Sequence, residues 1–291
     1  MAAEPCPTCY LNGHWLPLAD ARVSPLDRGF LFADGVYEVV PVLHGRPFRL
    51  AEHLARLARS CAAIRLADPH TRVQWLGIIE GLVKAAGPPD LLVYLQVTRG
   101  AEHGRNHLFP ADTKPTVFGF ASPFPQPSTA TLERGLGVVC LEDTRWARCD
   151  IKSVALLANV LLRQEAQERG ADEALLVRGE RVLEGSSSSV FVVHAGVVAT
   201  PPDGPEILPG TTRDAILELC AANPRSEIRP ITRTELDAAD EVWIASAGRG
   251  LLPVCRVDDR PVGSGRPGPL WREIDARLRR HLADIAATPA L

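Results

Sequence analysis

Hydrophobic residues in the first 121 positions follow strand spacing and helix spacing in turn. Asn12-Gly13 interrupts the apolar stretch 11–16 and supplies the residues that a tight hairpin turn needs. A strand is predicted from Tyr37, with the next turn at His44-Gly45. Apolar residues then recur at helical steps of three and four, at Leu50, Leu54, Leu57, Cys61 and Ile64. A second helix near 73–84 and strands at 91–99 and 116–121 complete a predicted α/β unit.

Residues 122–129 separate two predicted domains. This segment reads Ser-Pro-Phe-Pro-Gln-Pro-Ser-Thr, and its three prolines favour an extended path with few hydrogen bonds. Strands are expected beyond it at 137–143, 174–177, 190–193, 197–200 and 242–246. Helices are expected from about Val154, after Thr211, after Thr232 and after Pro269. The sequence therefore predicts an α+β protein with a smaller N-terminal α/β domain, residues 1–121, and a larger C-terminal domain, residues 130–291.

The composition excludes several broad classes of protein. The chain has 291 residues, of which 46% are hydrophobic and 23% charged, so it can form packed cores. A net charge of −3 argues against sequence-independent binding of nucleic acid, which needs a basic face. No stretch approaches the roughly 20 apolar residues of a membrane span, and the N-terminus lacks the features of a secretory signal. We therefore expect a cytoplasmic protein with no nucleic-acid or membrane partner.

The cysteines indicate thiols rather than a disulfide framework. The chain has seven, an odd number, and most lie in apolar segments where a reduced thiol packs as a small hydrophobe. Cys6 and Cys9 have the spacing of half a zinc site, but the sequence has no second such pair. We expect them to be two thiols on a terminal arm. A binding protein that depends on these thiols or on zinc is the alternative to an enzyme.

Lysine is scarce, which limits the candidates for amine chemistry to three residues. Lys84 ends a predicted helix, where a solvated cation complements the helix dipole. Lys114 precedes Pro115 in a predicted loop. Lys152 differs because it follows Ile151 on a strand-to-helix connection. A partly desolvated lysine there can present the neutral amine that Schiff-base formation with an aldehyde requires.

Two further segments have features that suit an anion. Glu184 is followed by a glycine and four serines before an apolar strand, so hydroxyl and backbone N–H groups can bind phosphate oxygens. Gly210, Thr211 and Thr212 stand at a predicted helix start, where free N–H groups and the helix dipole favour phosphate. A polar turn and ordinary helix capping are the structural alternatives for these two segments.

Arginine and histidine supply the cationic candidates. Arg56 falls off the apolar stripe of its helix, so it is available for solvent or for phosphate. Arg105 and His107 follow a strand at alternating positions and offer two donors suited to a carboxylate. No metal site is predicted, because Glu102, His103 and His107 lack further ligands.

Together these segments resemble the fold-type IV, or class IV, pyridoxal phosphate aminotransferases over nearly the whole chain. The matching segments, in the family's order, are Phe32–Val40, Glu52–Leu57, Gln96–Gly100, Cys149–Ser153, Glu184–Ser188 and Ile207–Arg213. Within the family the chain looks most like D-amino acid aminotransferases, which have an Arg-x-His pair after the Gln-Val-Thr-Arg-Gly strand. The resemblance implies a two-domain fold whose larger domain has mixed, β-barrel-like sheets flanked by helices.

The resemblance also implies a role for each matching residue. Lys152 is the implied catalytic residue, which holds pyridoxal 5′-phosphate as a Schiff base and moves the substrate proton. Glu184 is implied to keep the pyridine nitrogen protonated. The implied cofactor ligands are Arg56, Lys152, Glu184, Ser187, Ser188, Leu208, Thr211 and Thr212, and the implied substrate ligands are Tyr37, Arg105 and His107. In the family the loop that carries the last two reaches the neighbouring subunit's site, so a homodimer with shared active sites is implied.

The implied reaction transfers the amino group of a D-amino acid, such as D-alanine, to a 2-oxo acid, such as 2-oxoglutarate. The chain departs from the family where a Ser-Thr-Thr-Ser-Glu turn is usual and this sequence reads Ser246-Ala-Gly-Arg-Gly250. Arg249 is a candidate replacement for the two lost hydroxyls, as a contact to phosphate or to an acidic substrate. Aminodeoxychorismate lyase and branched-chain or (R)-amine transaminases of the same family remain alternatives.

Overall fold

The computed structural model describes residues 4–87, 90–102, 104–221 and 225–287. The chain divides into two compact units. The first unit contains Met1–Pro125, Ile151–Ala155 and Ile285–Leu291, and the second contains Gln126–Asp150 and Leu156–Asp284. The short segment around Lys152 thus belongs to the first unit, although the sequence places it within the C-terminal domain. The predicted linker at 122–129 stays a prediction.

The helices lie close to the positions that the sequence predicts. Helices α1 to α8 occupy Arg28–Phe32, Leu50–Ala63, Arg72–Ala86, Thr129–Arg134, Leu157–Glu168, Thr211–Cys220, Arg233–Asp237 and Pro269–Ala287. The short helices α1 and α4 were not predicted, because five or six residues show no helical periodicity. Within the described part of the chain, no helix has the length and hydropathy of a membrane span.

The strands form two separate sheets. Strands β1 to β8 occupy Thr8–Leu11, His14–Pro17, Gly35–Leu43, Arg46–Pro47, Leu91–Thr98, Thr116–Pro123, Leu136–Glu142 and Glu173–Arg178. Strands β9 to β16 occupy Arg181–Gly185, Ser189–His194, Val197–Thr200, Ser226–Ile228, Ile231–Thr232, Glu241–Ser246, Gly250–Val257 and Arg260–Pro261. Strands β1 to β6 belong to the first unit, and strands β7 to β16 belong to the second.

The first unit is a six-stranded antiparallel sheet in the order β2-β1-β6-β5-β3-β4, packed against α2 and α3. Alternation in β5 explains the packing, because Leu91, Val93, Leu95 and Val97 are fully buried on one face. The Asn12-Gly13 turn between β1 and β2 is confirmed, with both residues at positive φ.

The N-terminal cysteines are part of this core and do not lie on a free arm. Cys9 is in β1 and fully buried, and Cys6 is also buried and donates its backbone N–H to Ala121 O at 2.8 Å. Burial raises the pKa of both thiols. The expected terminal arm is therefore wrong, because pairing of β1 with β6 fixes this segment in the sheet.

The segment around Lys152 pairs with β3 instead of starting the next helix. Ser153 forms an isolated bridge with Val36, and Val154 donates its N–H to Gly35 O at 3.0 Å. These contacts require extended backbone, so α5 begins at Leu157 rather than near Val154.

The second unit is a ten-stranded mixed sheet with helices. Its strand order is β12-β11-β10-β14-β15-β7-β8-β9-β13, with β16 paired to β15. The pairs β7–β8 and β7–β15 are parallel, and most others are antiparallel. The capping box predicted at Thr232–Glu235 is confirmed at the start of α7. This arrangement agrees with the mixed sheet and flanking helices that the family resemblance implies.

Candidate active site

Lys152 and Tyr37 form the first group of candidate residues, in the first unit. The Lys152 side chain is half-buried, and its Nζ lies 4.3 Å from the centroid of the Tyr37 ring. The backbone on both sides is fixed, because Tyr37 donates its N–H to Lys152 O at 3.0 Å and Lys152 donates its own to Ser60 Oγ at 3.2 Å. Two neighbouring elements, β3 and α2, thus position the amine beside an aromatic face.

Arg56 is paired with a buried carboxylate that the sequence interpretation did not single out. Its Nε and Nη2 donate to the two oxygens of Glu38 at 2.7 and 2.9 Å, and His53 Nδ1 lies 2.8 Å from Glu38 Oε2. Burial alone raises the pKa of Glu38, but Arg56 and His53 outweigh it and hold the pKa at about 2. Arg56 is only 4% exposed, and its predicted contact with phosphate stays a prediction.

Arg105 and His107 lie together on an exposed loop after β5. The Arg105 guanidinium lies 4.9 Å from the Phe32 ring centroid, and the His107 ring lies 5.2 Å from the same ring. Buried Arg28 holds this loop, since its Nη1 donates to Glu102 Oε1 and to Asn106 O at 2.6 Å. Both predicted carboxylate ligands are therefore brought to one aromatic side chain by a preorganised loop.

Glu184 anchors the second group, in the second unit. It is buried and accepts a hydrogen bond of 2.5 Å from Arg145 Nη1, and its two oxygens lie 3.2 and 3.1 Å from the Leu208 N–H. Burial raises the pKa of Glu184 to about 7, against the opposing effect of Arg145. The structure thus brings Glu184 and Leu208, two predicted cofactor ligands, into direct contact.

Arg145 is shared between Glu184 and a second acid. Its Nε donates to Asp143 Oδ1 at 2.9 Å, and Asp143 also accepts from Arg178 Nη2 at 2.8 Å. Asp143 is a like charge near Glu184 and raises its pKa further. Arg145 therefore balances the negative charge of Glu184 only in part, and Glu184 can accept a further cationic partner.

The serine run after Glu184 forms a tight turn. Gly185 donates its N–H to Ser188 O at 2.6 Å, and the Ser187 side chain is exposed while Ser188 is buried. In the described part of the chain, Ser188 Oγ is buried without a hydrogen-bond partner. Buried hydroxyls are normally satisfied, so Ser188 has a donor available for a bound group.

Thr211 and Thr212 occupy the first turn of α6, as predicted, and both are buried. Gly210 is the N-cap and no side chain caps this helix. A Cβ on Gly210 would lie 2.6 Å from Ser189 Oγ, so the serine turn adjoins the start of the helix. A helix start without a side-chain cap, which adjoins Ser189 at the end of the serine run, fits the phosphate of pyridoxal phosphate.

Arg249 is partly exposed and contacts a buried carboxylate. Its Nη2 forms an ion pair with buried Glu173 and lies 3.3 Å from Ser187 Oγ. As for metals, the described residues contain no group of three or more His, Cys, Asp or Glu side chains that could hold an ion. Glu102 is paired with Arg28, and His103 lies outside the described residues.

Four ionisable residues that contact the candidates were not identified from the sequence. They are Glu38, His53, Arg145 and Glu173. Glu38 had a signal, because it shares the buried phase of β3 with Val36 and Val40. Arg145 and Glu173 had none, since their partners lie 39 and 76 positions away along the chain.

Comparison with known proteins identifies the family. The family described as amino-transferase class IV matches residues 35–257. D-alanine aminotransferases of Bacillus licheniformis and Listeria monocytogenes are each 38% identical to this chain, over 95% and 91% of it and over 97% and 92% of their own lengths. A solved branched-chain amino acid aminotransferase of T.th. origin, with pyridoxamine 5′-phosphate, has a TM-score of 0.87 at 24% identity, over 97% of this chain and 94% of that chain.

These matches confirm the expected fold class and the aminotransferase activity. They also confirm the expected cofactor, pyridoxal 5′-phosphate, and the relatives' names agree with the expected D-amino acid substrate. The roles of the individual site residues stay predictions. Two features of the second unit fit the cofactor: the buried Ser188 hydroxyl has no hydrogen-bond partner, and the charge of Glu184 is only partly balanced by Arg145. This chain belongs to the class IV aminotransferases.

Proposed function

We propose that this enzyme transfers the amino group of a D-amino acid, such as D-alanine, to a 2-oxo acid, such as 2-oxoglutarate. The observation that carries the proposal is the similarity, along 95% of the chain, to a protein named D-alanine aminotransferase. The solved branched-chain aminotransferase shares 24% identity and supports the fold alone.

Lys152 is the proposed catalytic residue. Bound pyridoxal phosphate supplies an aldehyde carbon for the amino group and a ring that delocalises electrons. The Lys152 amine would hold the cofactor covalently and would serve as the base that moves the proton from the substrate Cα. The Tyr37 ring and the fixed backbone of Lys152 restrict where Nζ can lie, which supports proton transfer at a defined atom.

The proposed cofactor ligands of the second unit would bind two parts of the cofactor, the ring and the phosphate. Glu184 pairs with the protonated pyridine nitrogen, for which its partly compensated charge is suited. Leu208 donates its N–H to Glu184, and its side chain would pack on the ring. Ser187, Ser188, Thr211 and Thr212 bind the phosphate, and the start of α6, which no side chain caps, supports this assignment. Arg56 remains the proposed phosphate ligand of the first unit.

Arg105, His107 and Tyr37 are the proposed ligands of the substrate carboxylate. The support is the exposure of Arg105 and His107 and the two hydrogen bonds by which Arg28 orders their loop. A preorganised guanidinium beside a second donor binds a carboxylate with little loss of side-chain entropy.

A homodimer with shared active sites is the proposed assembly. Phe30 on α1 and Leu108 on the loop after β5 are 77% and 74% exposed, and Arg28 connects these two segments through its hydrogen bond to Asn106 O. Leu157, Val160 and Leu161 form an exposed apolar face of α5. Grouped apolar side chains of this size mark interfaces, and a second copy is the occupant that the family resemblance implies. The seven thiols are mostly buried, and a reducing cytoplasm remains the proposed location.

The proposed reaction is tested by identifying both products. Purified holoenzyme with D-alanine and 2-oxoglutarate is expected to release pyruvate and D-glutamate, which chiral chromatography separates from L-glutamate. Lys152→Ala is expected to abolish turnover. Formation of L-glutamate would contradict the proposal in favour of the branched-chain alternative. No amino transfer from D-alanine, together with release of pyruvate from aminodeoxychorismate, would contradict it in favour of the lyase alternative.

The shared site is tested by mixing two inactive variants. Lys152→Ala and Arg105→Ala homodimers each lack one part of every site, but a mixed dimer contains one intact site if the loop serves the neighbouring subunit. Recovery of activity after subunit exchange is expected. No recovery, with exchange demonstrated by mass-tagged subunits, would contradict the shared site.

A further inference from the structure

The buried carboxylate of Glu173 is paired with a cation, Arg249. Glu173 begins β8 and is 0% exposed, and Arg249 forms an ion pair with its Oε2. Arg249 comes from the segment Ser246–Gly250, where this chain departs from the Ser-Thr-Thr-Ser-Glu turn. The segment that departs from the family pattern therefore supplies Arg249 as the partner of the Glu173 carboxylate.

Glu173 is also the acceptor that holds the serine turn. It accepts hydrogen bonds from Ser186 Oγ and from the Ala174 N–H, and it lies 3.3 Å from Ser187 Oγ. The Asn159 side chain donates to Ser186 O at 2.8 Å from another side. The hydroxyls of Ser186 and Ser187 are thus engaged with Glu173, and Ser188 Oγ is left as the unpartnered buried hydroxyl of the described turn.

The charge at this turn determines whether it can accept an anion. Glu173 without a cation would place a negative charge on the turn Ser186–Ser188, and Ser189, which follows this turn, adjoins the start of α6. Like charges repel strongly in a dry interior, so an unpaired carboxylate opposes a phosphate dianion there. Arg249 removes this opposition by pairing with Glu173, and it also contacts Ser187 Oγ at 3.3 Å.

We propose that Arg249 is a positioning residue for the cofactor phosphate, which acts by cancelling the charge of Glu173 and fixing the Ser186–Ser188 turn. The inference rests on the proposed function, in which this turn and α6 bind the phosphate. It differs from the sequence-based prediction that Arg249 itself touches phosphate or an acidic substrate, because here Arg249 acts through Glu173 and Ser187, which its Nη2 contacts.

The test measures cofactor binding to the apoenzyme, with two probes that differ only in the phosphate. Dissociation constants for pyridoxal 5′-phosphate and for pyridoxal are measured by absorbance titration of four proteins. These are the wild type, Arg249→Ala, Glu173→Gln and the double variant Arg249→Ala with Glu173→Gln. Arg279→Ala is the matched control, since it breaks an ion pair with Asp275 within α8.

A phosphate-selective effect is expected. Arg249→Ala raises the Kd for pyridoxal phosphate about tenfold or more, which is the effect of about 1.4 kcal/mol, and leaves the Kd for pyridoxal within about twofold. The double variant recovers most of the loss, because a neutral amide at 173 needs no cation and still accepts hydrogen bonds from the serines. Arg279→Ala leaves both constants unchanged.

Three results would overturn the proposal. Equal weakening of both probes with a lowered melting temperature and no rescue by Glu173→Gln indicates a structural role only. Unchanged pyridoxal phosphate affinity with a raised KM for D-glutamate relative to D-alanine indicates a direct substrate contact. Loss in Arg249→Ala without rescue and without pyridoxal weakening indicates direct phosphate binding. Failure of the proposed function is separate, since it appears as wild-type enzyme that binds the cofactor but does not transaminate D-alanine.

Discussion

Two buried glutamates of this protein, each paired with an arginine, have opposite electrostatic properties. Glu38 in the first unit has its pKa lowered to about 2, whereas burial raises the pKa of Glu184 in the second unit to about 7. Burial raises the pKa in both, so burial does not explain the difference. The difference lies in the number of donors and in what else each arginine binds.

Glu38 receives two hydrogen bonds from Arg56 and one from His53. Glu184 receives one from Arg145, which also serves Asp143, and shares the N–H of Leu208. A carboxylate with a full set of donors, such as Glu38, stabilises the fold. A carboxylate with fewer donors, such as Glu184, keeps affinity for another cation. The comparison therefore separates a carboxylate that holds the fold from one suited to a protonated cofactor nitrogen.

The largest effect is expected for Glu38→Gln, measured as stability. The variant leaves the Arg56 cation buried with a weaker partner, and such losses cost about 3–5 kcal/mol. Because the pKa of Glu38 is lowered from 4.5 to about 2, its contribution is complete above pH 4.5 and is lost as the pH falls toward 2. The melting temperature of the wild type should exceed that of the variant at pH 7, with the gap closing between pH 4.5 and 2.

Glu165→Gln is the matched control, because Glu165 pairs with Arg169 on the exposed face of α5. It is expected to change the melting temperature little, as surface pairs contribute about 0–1 kcal/mol. A gap for Glu38→Gln that does not depend on pH, or that is no larger than this control's, would show that Glu38 is not the ionised anchor described here.

An intermediate effect is expected for Glu184→Gln, measured as rate. The amide carries no charge to pair with a protonated pyridine nitrogen, and loss of such stabilisation in an enzyme costs about 10²-fold or more. Single-turnover rates with D-alanine check this, and Glu184→Asp should retain more activity than Glu184→Gln. Equal rates for the wild type and Glu184→Gln would remove the cofactor role of this residue.

The smallest effect is expected for Asp143→Asn, measured as a pH profile. Asp143 raises the pKa of Glu184 by its like charge and by sharing Arg145, so its neutralisation lowers that pKa. Because Glu184 is then ionised down to lower pH, the acid limb of the single-turnover rate should move to lower pH, by up to about one unit. Asp275→Asn, which breaks a pair within α8, serves as the control. A shift toward higher pH would contradict the assigned sign.

The sequence predicts local features better than the contacts that tune the site. Turns such as Asn12-Gly13 and the capping box at Thr232 depend on a few adjacent residues, and both are confirmed. The position of Lys152 on a strand-to-helix connection is confirmed, since it lies between β7 and α5. The pairing of this segment with β3 was not predicted, because Val36 and Ser153 are far apart in the chain.

The features of the site that were not predicted from the sequence are mainly long-range ion pairs. Arg56 was interpreted as solvated or phosphate-binding because it lies off the apolar stripe of α2. The solvated interpretation is wrong, because Arg56 is buried on Glu38, and the phosphate contact stays a prediction. Arg249 was interpreted as a contact to phosphate or substrate, which stays a prediction, and its pairing with Glu173 was not predicted. Helical periodicity identifies which face is apolar, but it does not identify the charged partner that makes burial of an arginine favourable.

The central claim is that the enzyme acts on D-amino acids, and one measurement tests it most directly. Holoenzyme is mixed with D-alanine, L-alanine or L-leucine in the absence of any 2-oxo acid, and the yellow absorbance band of the bound cofactor is followed together with the oxo acid released. We predict that D-alanine alone removes the band and releases pyruvate in proportion to the enzyme. Removal of the band by L-leucine and not by D-alanine would contradict the claim.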